Sequence, residues 1–142
     1  MKNSNTSFED MVKEFHVKYG HLITGSPTTE IPEQVKTLRI KLIEEEWMEL
    51  NKGIIEGNLE EIADGGADLI YVIVGTMISY GIPIDRIFRE VHRSNMTKTA
   101  VKATDGEKYG TKTPKGPNYK APDIAGILHE PYKYTKLEIS GM

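Results

Sequence analysis

Glu44-Glu45-Glu46-Trp47-Met48-Glu49 and Glu61-Ile62-Ala63-Asp64-Gly65-Gly66-Ala67-Asp68 crowd carboxylates into two strongly helical stretches. On a wheel that starts at Val35 and turns about 100° per residue, Leu38, Leu42, Glu46 and Glu49 all fall within about 60° of Val35. Glu45 lies at the edge of that stripe and Glu44 points away. Glu61, Asp64 and Asp68 are spaced i, i+3, i+7 and so share one face. Asp68 then runs directly into Leu69-Ile70-Tyr71-Val72-Ile73-Val74. An ionised carboxylate on an apolar face must be paired, protonated or bound to a cation, because its isolated burial costs many kcal/mol. The basic residues nearest in sequence are Arg39, Lys41 and Lys52, too few to pair these acids. A hard divalent cation with oxygen ligands answers the excess, and Mg²⁺ or Mn²⁺ fits best. The competing reading is a solvated acidic face, the usual fate of a charge run. Two acidic faces that each merge into an apolar stripe weigh against it.

The elements that position these acids are helices. Ser7 is set to cap a first helix over about 8–19, with Asp10 at the third position. Phe8, Met11, Val12, Phe15 and Tyr19 give its helical spacing, and Gly20 closes it. His16 flanks that stripe and reads as a core or boundary histidine rather than a substrate contact. Residues 21–31 form a loop, and Pro32 opens a second helix that runs to about Ile55. Its second flank of Ile43, Trp47, Leu50 and Ile54 marks a helix with more than one neighbour. Trp47 reads as a core or interface aromatic. Glu56-Gly57-Asn58 is a tight turn. Asn58 with Glu61 matches a capping box, which would occupy Glu61 away from any metal. The third helix spans Leu59 to about Tyr80 and ends at Gly81. It is apolar on almost every side from Leu69 onward and should be buried. Gly65, Gly66 and Gly75 within it cost helix stability, which close approach of another backbone would explain. Pro83 starts a fourth helix of about 83–96, with a stripe of Ile84, Ile87, Phe88 and Val91 that Asn95 and then Lys98 continue. Beyond 97 regular structure weakens. Thr104-Asp105-Gly106-Glu107 carries a hairpin-type turn signal, residues 112–119 are extended and basic, and residues 123–128 make one short apolar turn.

At 142 residues the chain can hold a sizeable core. It has no cysteine, which removes disulfides, thiolate nucleophiles and cysteine-based zinc sites and fits a reducing cytoplasmic setting. Residues 1–6 have no apolar core, so no signal peptide is expected there. The run from Leu69 to Ile78 is too short to span a bilayer, so no membrane is expected. Residues 1–96 carry 10 basic and 16 acidic side chains, whereas residues 97–142 carry 8 lysines and 5 acids. An acidic body with a basic tail fits a metal centre facing phosphate-binding cations, not duplex nucleic acid, which asks for a basic face on the body. No P-loop, dinucleotide glycine fingerprint or Ser/His/Asp arrangement is present.

Taken in order, these stretches resemble the all-α MazG-like nucleoside triphosphate pyrophosphohydrolases, a clan that includes phosphoribosyl-ATP pyrophosphohydrolase and the dimeric dUTPases. Glu45-Glu46-Trp47-Met48-Glu49 is similar to their Glu-Glu-x-x-Glu, and Asp68-Leu69-Ile70-Tyr71 to the Asp that opens the apolar half of the next helix. The resemblance is closest to the phosphoribosyl-ATP-pyrophosphohydrolase-like branch, through Glu14-Phe15-His16, residues 90–98 and Lys115-Gly116-Pro117-Asn118-Tyr119. It covers about residues 8–128. One departure stands out: the family pattern has Glu three residues before Asp68, where this chain has Gly65. Asp64 with Asp68 is the preferred ligand pair on this helix, and Glu61 with Asp64 the alternative.

The resemblance implies an all-α, four-helix-bundle-like domain over 7–128, with tails at 1–6 and 129–142. An irregular basic C-terminal tail follows the bundle, and oligomerisation to a homodimer or homotetramer completes it. It implies cleavage between the α and β phosphates of a (deoxy)nucleoside triphosphate, giving a monophosphate and pyrophosphate. Glu46, Glu49, Asp64 and Asp68 would hold Mg²⁺ or Mn²⁺. Glu45 would take a proton from water or hold a further ion. Arg93, Asn95, Lys98 and Lys115 would grip the triphosphate, and Tyr119 or Trp47 would stack on the base. Two other readings remain: phosphoribosyl-ATP as the substrate, or a non-catalytic metal-binding helical module, which Gly65 favours.

Overall fold

The computed structural model describes residues 6–100 and 110–130. Among them all regular structure is helical. α1 spans Phe8–Tyr19, α2 Glu33–Glu56, α3 Leu59–Ser79, α4 Ile84–Asn95 and α5 Ile124–Leu128. The chain divides into two compact units, with the boundary in the first turn of α4 between Asp85 and Arg86. The turn expected at Thr104–Glu107 and most of both tails lie outside the described residues.

In the first unit the local signals fix the helix ends. Ser7 Oγ accepts from Asp10 N–H, and the Asp10 carboxylate accepts from Ser7 N–H, so the capping box closes. Gly20 and Gly57 end α1 and α2 in the left-handed region, at φ 70° and 66°. Asn58 caps α3 by accepting from Glu61 N–H at 3.2 Å. Its own N–H donates to Gly53 O at 3.0 Å, so the reciprocal half of the expected box is replaced by a backbone bond.

α3 packs against α2 and against α1. Val12, Val74 and Ile78 form the buried core, with Ile23 and Ile84 against it. α3 is less buried than its composition led us to expect: Ile70, Tyr71 and Ile73 are exposed within this chain. The whole of α3 is also long and apolar enough to cross a membrane by length and composition alone, which corrects the shorter estimate from Leu69–Ile78. Glu60, Glu61, Asp64 and Asp68 charge its first half, and Val74, Gly75, Thr76, Ile78 and Ser79 are buried inside the unit, as in a core helix.

Gly65 and Gly75 mark close approaches. A Cβ at Gly65 would sit 3.0 Å from Leu50 Cα and N, so α2 and α3 meet backbone to backbone there. At Gly75 the neighbours are side chains: a Cβ would lie 2.8 Å from His16 Nε2 and 2.5 Å from Arg39 Nη2. Gly66 has nothing nearby and plays no such part.

Candidate metal centre

α2 delivers Glu46 and Glu49 one turn apart, and α3 delivers Asp68 from across the α2–α3 seam. One carboxylate oxygen from each lies within 4.8 Å of the other two. Glu46 and Asp68 are half-buried and Glu49 is exposed. Glu46 Oε2 is buried and has no hydrogen-bond partner. Burial pushes the Glu46 carboxyl up to about 7, with the Glu49 and Asp68 charges adding to the shift. Asp68 is also raised, by burial first and then by the Asp64 and Glu49 charges, while a hydrogen bond with Glu46 opposes the rise.

The donor set is all carboxylate. It holds no imidazole or thiolate, which fits a hard, oxygen-seeking divalent ion. The orphaned Glu46 oxygen is the observation that fits the group to these residues, because a buried acceptor without a donor is costly and a cation removes that cost.

Asp64 stands one turn before Asp68. It lies close enough to raise Asp68, and with Glu49, Lys52, Glu61 and Gly65 it lines an adjoining cavity of about 260 Å³. The three-residue cluster takes Asp68, while Asp64 and Glu61 share the cavity beside it. Glu45 is exposed next to Glu46 and adds to the charge that raises it. Trp47 is 56% exposed in the single chain, so it serves no core here.

Sequence reasoning passed over Arg39, which is buried. Its Nε donates to Thr76 Oγ1 at 3.1 Å and its Nη2 to Val72 O at 2.9 Å. The signal was present, because Arg39 falls about 40° from Val35 on the same wheel. It ties α2 to α3 on the seam that carries Glu46 and Asp68, seven residues before the former and beside the turn after the latter. His16 is buried next to it, and its Nδ1 lies 3.1 Å from Leu22 O, an acceptor that fixes the proton on Nδ1. Burial holds this ring below its usual value, with the Arg39 charge contributing. His16 is thus a satisfied core histidine.

The predicted substrate residues lie in the second unit. Arg93, Lys98 and Tyr119 line a cavity of about 710 Å³ there. Lys115 places its ammonium 5.1 Å from the centre of the Tyr119 ring. Asn95 is exposed at the end of α4, and its carbonyl accepts from Lys98 N–H. Arg93 is engaged: its guanidinium binds both oxygens of Glu90, at 2.8 and 2.9 Å, and Ala121 O at 3.2 Å.

Residues 12–95 match the family described as phosphoribosyl-ATP pyrophosphohydrolase, a span that includes all three cluster carboxylates. An uncharacterized protein of Acanthamoeba polyphaga mimivirus is 38% identical over 78 residues, covering 52% of this chain and 31% of its own length. The chain thus matches only about a third of that relative.

Proposed function

The chain belongs to the phosphoribosyl-ATP pyrophosphohydrolase family, and from that premise we propose that it is a divalent-metal-dependent pyrophosphohydrolase acting on a (deoxy)nucleoside triphosphate. The bond cleaved lies between the α and β phosphates, and the products are a nucleoside monophosphate and pyrophosphate. The observation that carries this reading is the cluster of Glu46, Glu49 and Asp68 with its orphaned, buried Glu46 oxygen.

In this reading those three side chains hold the ion, which is Mg²⁺ or Mn²⁺, with Asp64, one turn before Asp68, as the fourth ligand. When bound, such an ion neutralises phosphate oxygens and lowers the pKa of water. Glu45, exposed beside the cluster, accepts a proton from the attacking water. Arg93, Asn95, Lys98, Lys115 and Tyr119 belong to the same proposal as substrate contacts. Phosphoryl-type transfer needs positioning and charge stabilisation more than covalent help, which suits carboxylates held on the α2–α3 pair. The reading also includes a homo-oligomer in the cytoplasm. Its support is the apolar groove of about 230 Å³ that Phe8, Met11, Ala67, Ile70 and Tyr71 leave open on α1 and α3.

Phosphoribosyl-ATP is the second substrate reading, favoured by the family description. Incubation of the purified protein with ribo- and deoxynucleoside triphosphates and phosphoribosyl-ATP, in Mg²⁺, Mn²⁺ or EDTA, separates the readings. The expected result is metal-dependent pyrophosphate with no orthophosphate. Orthophosphate as the first product would overturn the bond assignment. No release from any of these substrates by a folded protein that binds metal would favour the non-catalytic module.

A further inference from the structure

The second unit is built around one repeated device. Side chains along α4 and just past it fasten the segment 114–123 by its backbone. Glu90 accepts from Asp123 N–H at 2.6 Å, and Arg93 donates to Ala121 O. Ser94, which is fully buried, donates to Lys120 O at 2.8 Å. Thr97 Oγ1 accepts from Lys120 N–H at 2.8 Å while donating to Ser94 O. Thr99 N–H donates to Pro114 O at 3.1 Å, and Gly116 lies so close to the Thr99 side chain that no Cβ fits between them. The two ends of Lys120's own backbone are thus both held by side chains from the α4 end.

The result is a cavity of about 710 Å³ lined by Lys98, Lys120, Arg93, Thr97, Asn118 and Tyr119, among others, with no acidic residue among them. That size lies within the range of small-ligand sites, roughly 300–1,000 Å³. Arg93 is spent on Glu90 and Ala121, which leaves Lys98 and Lys120 as the cations of the lining, with Lys115 stacked behind Tyr119. Two ammonium groups and an amide around a polar cleft form a site for several anionic oxygens in a row, with an aromatic ring in the same lining.

We infer that this cavity binds a phosphate chain by itself, without the divalent cation. The ligand's identity as a nucleotide rests on the pyrophosphohydrolase reading, whereas the anion chemistry rests on the cavity. Lys120 and Asn118 thereby join Lys98 as contacts. The fastening of residues 114–123 holds the backbone of the site in place, so binding has only side chains to order.

The test is calorimetric titration of the full chain with inorganic tripolyphosphate in EDTA at low salt. Binding is expected, with Lys98→Ala and Lys120→Ala each weakening it about tenfold, the loss of one charge-assisted contact. Lys112→Ala, outside the cavity, should leave it unchanged. A nucleoside triphosphate measured alongside identifies the source: tighter binding that Tyr119→Ala reduces to the tripolyphosphate value assigns a nucleotide, and equal binding assigns free polyphosphate. No binding of tripolyphosphate in EDTA overturns the inference, as does equal weakening by Lys112→Ala and Lys98→Ala. Failed turnover with intact tripolyphosphate binding would refute the reaction and leave the site standing.

Discussion

Burial first, and then the charges of Glu49 and Asp68 whose oxygens lie within 4.8 Å, hold the proton of Glu46 up to about pH 7. The apo protein is strained at this residue wherever Glu46 is charged. Glu46→Gln should therefore stabilise the protein in EDTA at pH 8 by on the order of 1 kcal/mol, a rise of about 2–5 °C in melting temperature. The same change should lower pyrophosphate release by about 100-fold or more, because a neutral amide is a poor ligand for a hard cation. A lower melting temperature for the variant would contradict the like-charge argument. The pH response has separate owners elsewhere. His16 is held below its ordinary 6.5 by burial, so the folded chain resists its protonation. Its contribution to stability is complete above pH 6.5 and is lost as pH falls through the depressed value. Glu90 is pushed down to about 2 by the Arg93 hydrogen bonds and by Asp123 N–H, so its contribution is complete above 4.5 and lost as pH falls towards 2. Glu46 acts in the opposite sense, gaining stability as pH falls below about 7, so His16 is read as a difference: the urea-midpoint advantage of wild type over His16→Gln should shrink from pH 7.5 through 6 to 5. An advantage that stays constant would remove His16 from the account.

The α2–α3 pair places these residues, and its closeness is set at Gly65. A methyl group there would press on Leu50 backbone atoms 3.0 Å away, which move only with the helix. Gly65→Ala should cost roughly 1–3 kcal/mol through overpacking, despite the gain of about 1 kcal/mol that alanine normally brings to a helix interior. A urea midpoint equal to or above wild type would show that the helices can separate freely. The same contact explains the departure from the family pattern, since a Glu at 65 has no room in this packing. Much of this pair was legible in local signals. Ser7, Gly20, Gly57 and Asn58 each announced a helix end by type, and the seven-residue steps along α2 brought Glu46 and Glu49 to one side. What local signals did not carry was contact across the seam. Arg39 lay on the same wheel stripe, but only Thr76 and Val72 O show why a guanidinium is tolerated there. Glu61 looked committed to its cap until Gly53 O took the Asn58 N–H. In the second unit, Lys98 and Tyr119 could be singled out from their types and order. Lys120 could not, because its position depends on Ser94 and Thr97, more than twenty residues away.

At the scale of the molecule, the first unit has a small core and a large amount of apolar surface. Phe8, Met11, Phe15, Ile70 and Tyr71 are all at least 38% exposed in the single chain. The groove that Phe8, Met11, Ile70 and Tyr71 line between α1 and α3 is the surface on which the proposed oligomer would close. Sedimentation velocity should give a species of at least twice the 16.0 kDa chain mass, and Ile70→Glu should shift it to monomer. A wild-type monomer at micromolar concentration would contradict that assembly. The central claim is that Glu46, Glu49 and Asp68 together hold a divalent cation on which pyrophosphate release depends. Its most direct test is a Mg²⁺ titration of pyrophosphate release for the wild type and for Asp68→Asn, with circular dichroism to confirm folding. The account predicts a half-saturating Mg²⁺ concentration at least about tenfold higher for the variant and a rate about 100-fold lower, on an unchanged helical spectrum. A folded Asp68→Asn protein with the wild-type Mg²⁺ dependence and rate would contradict it.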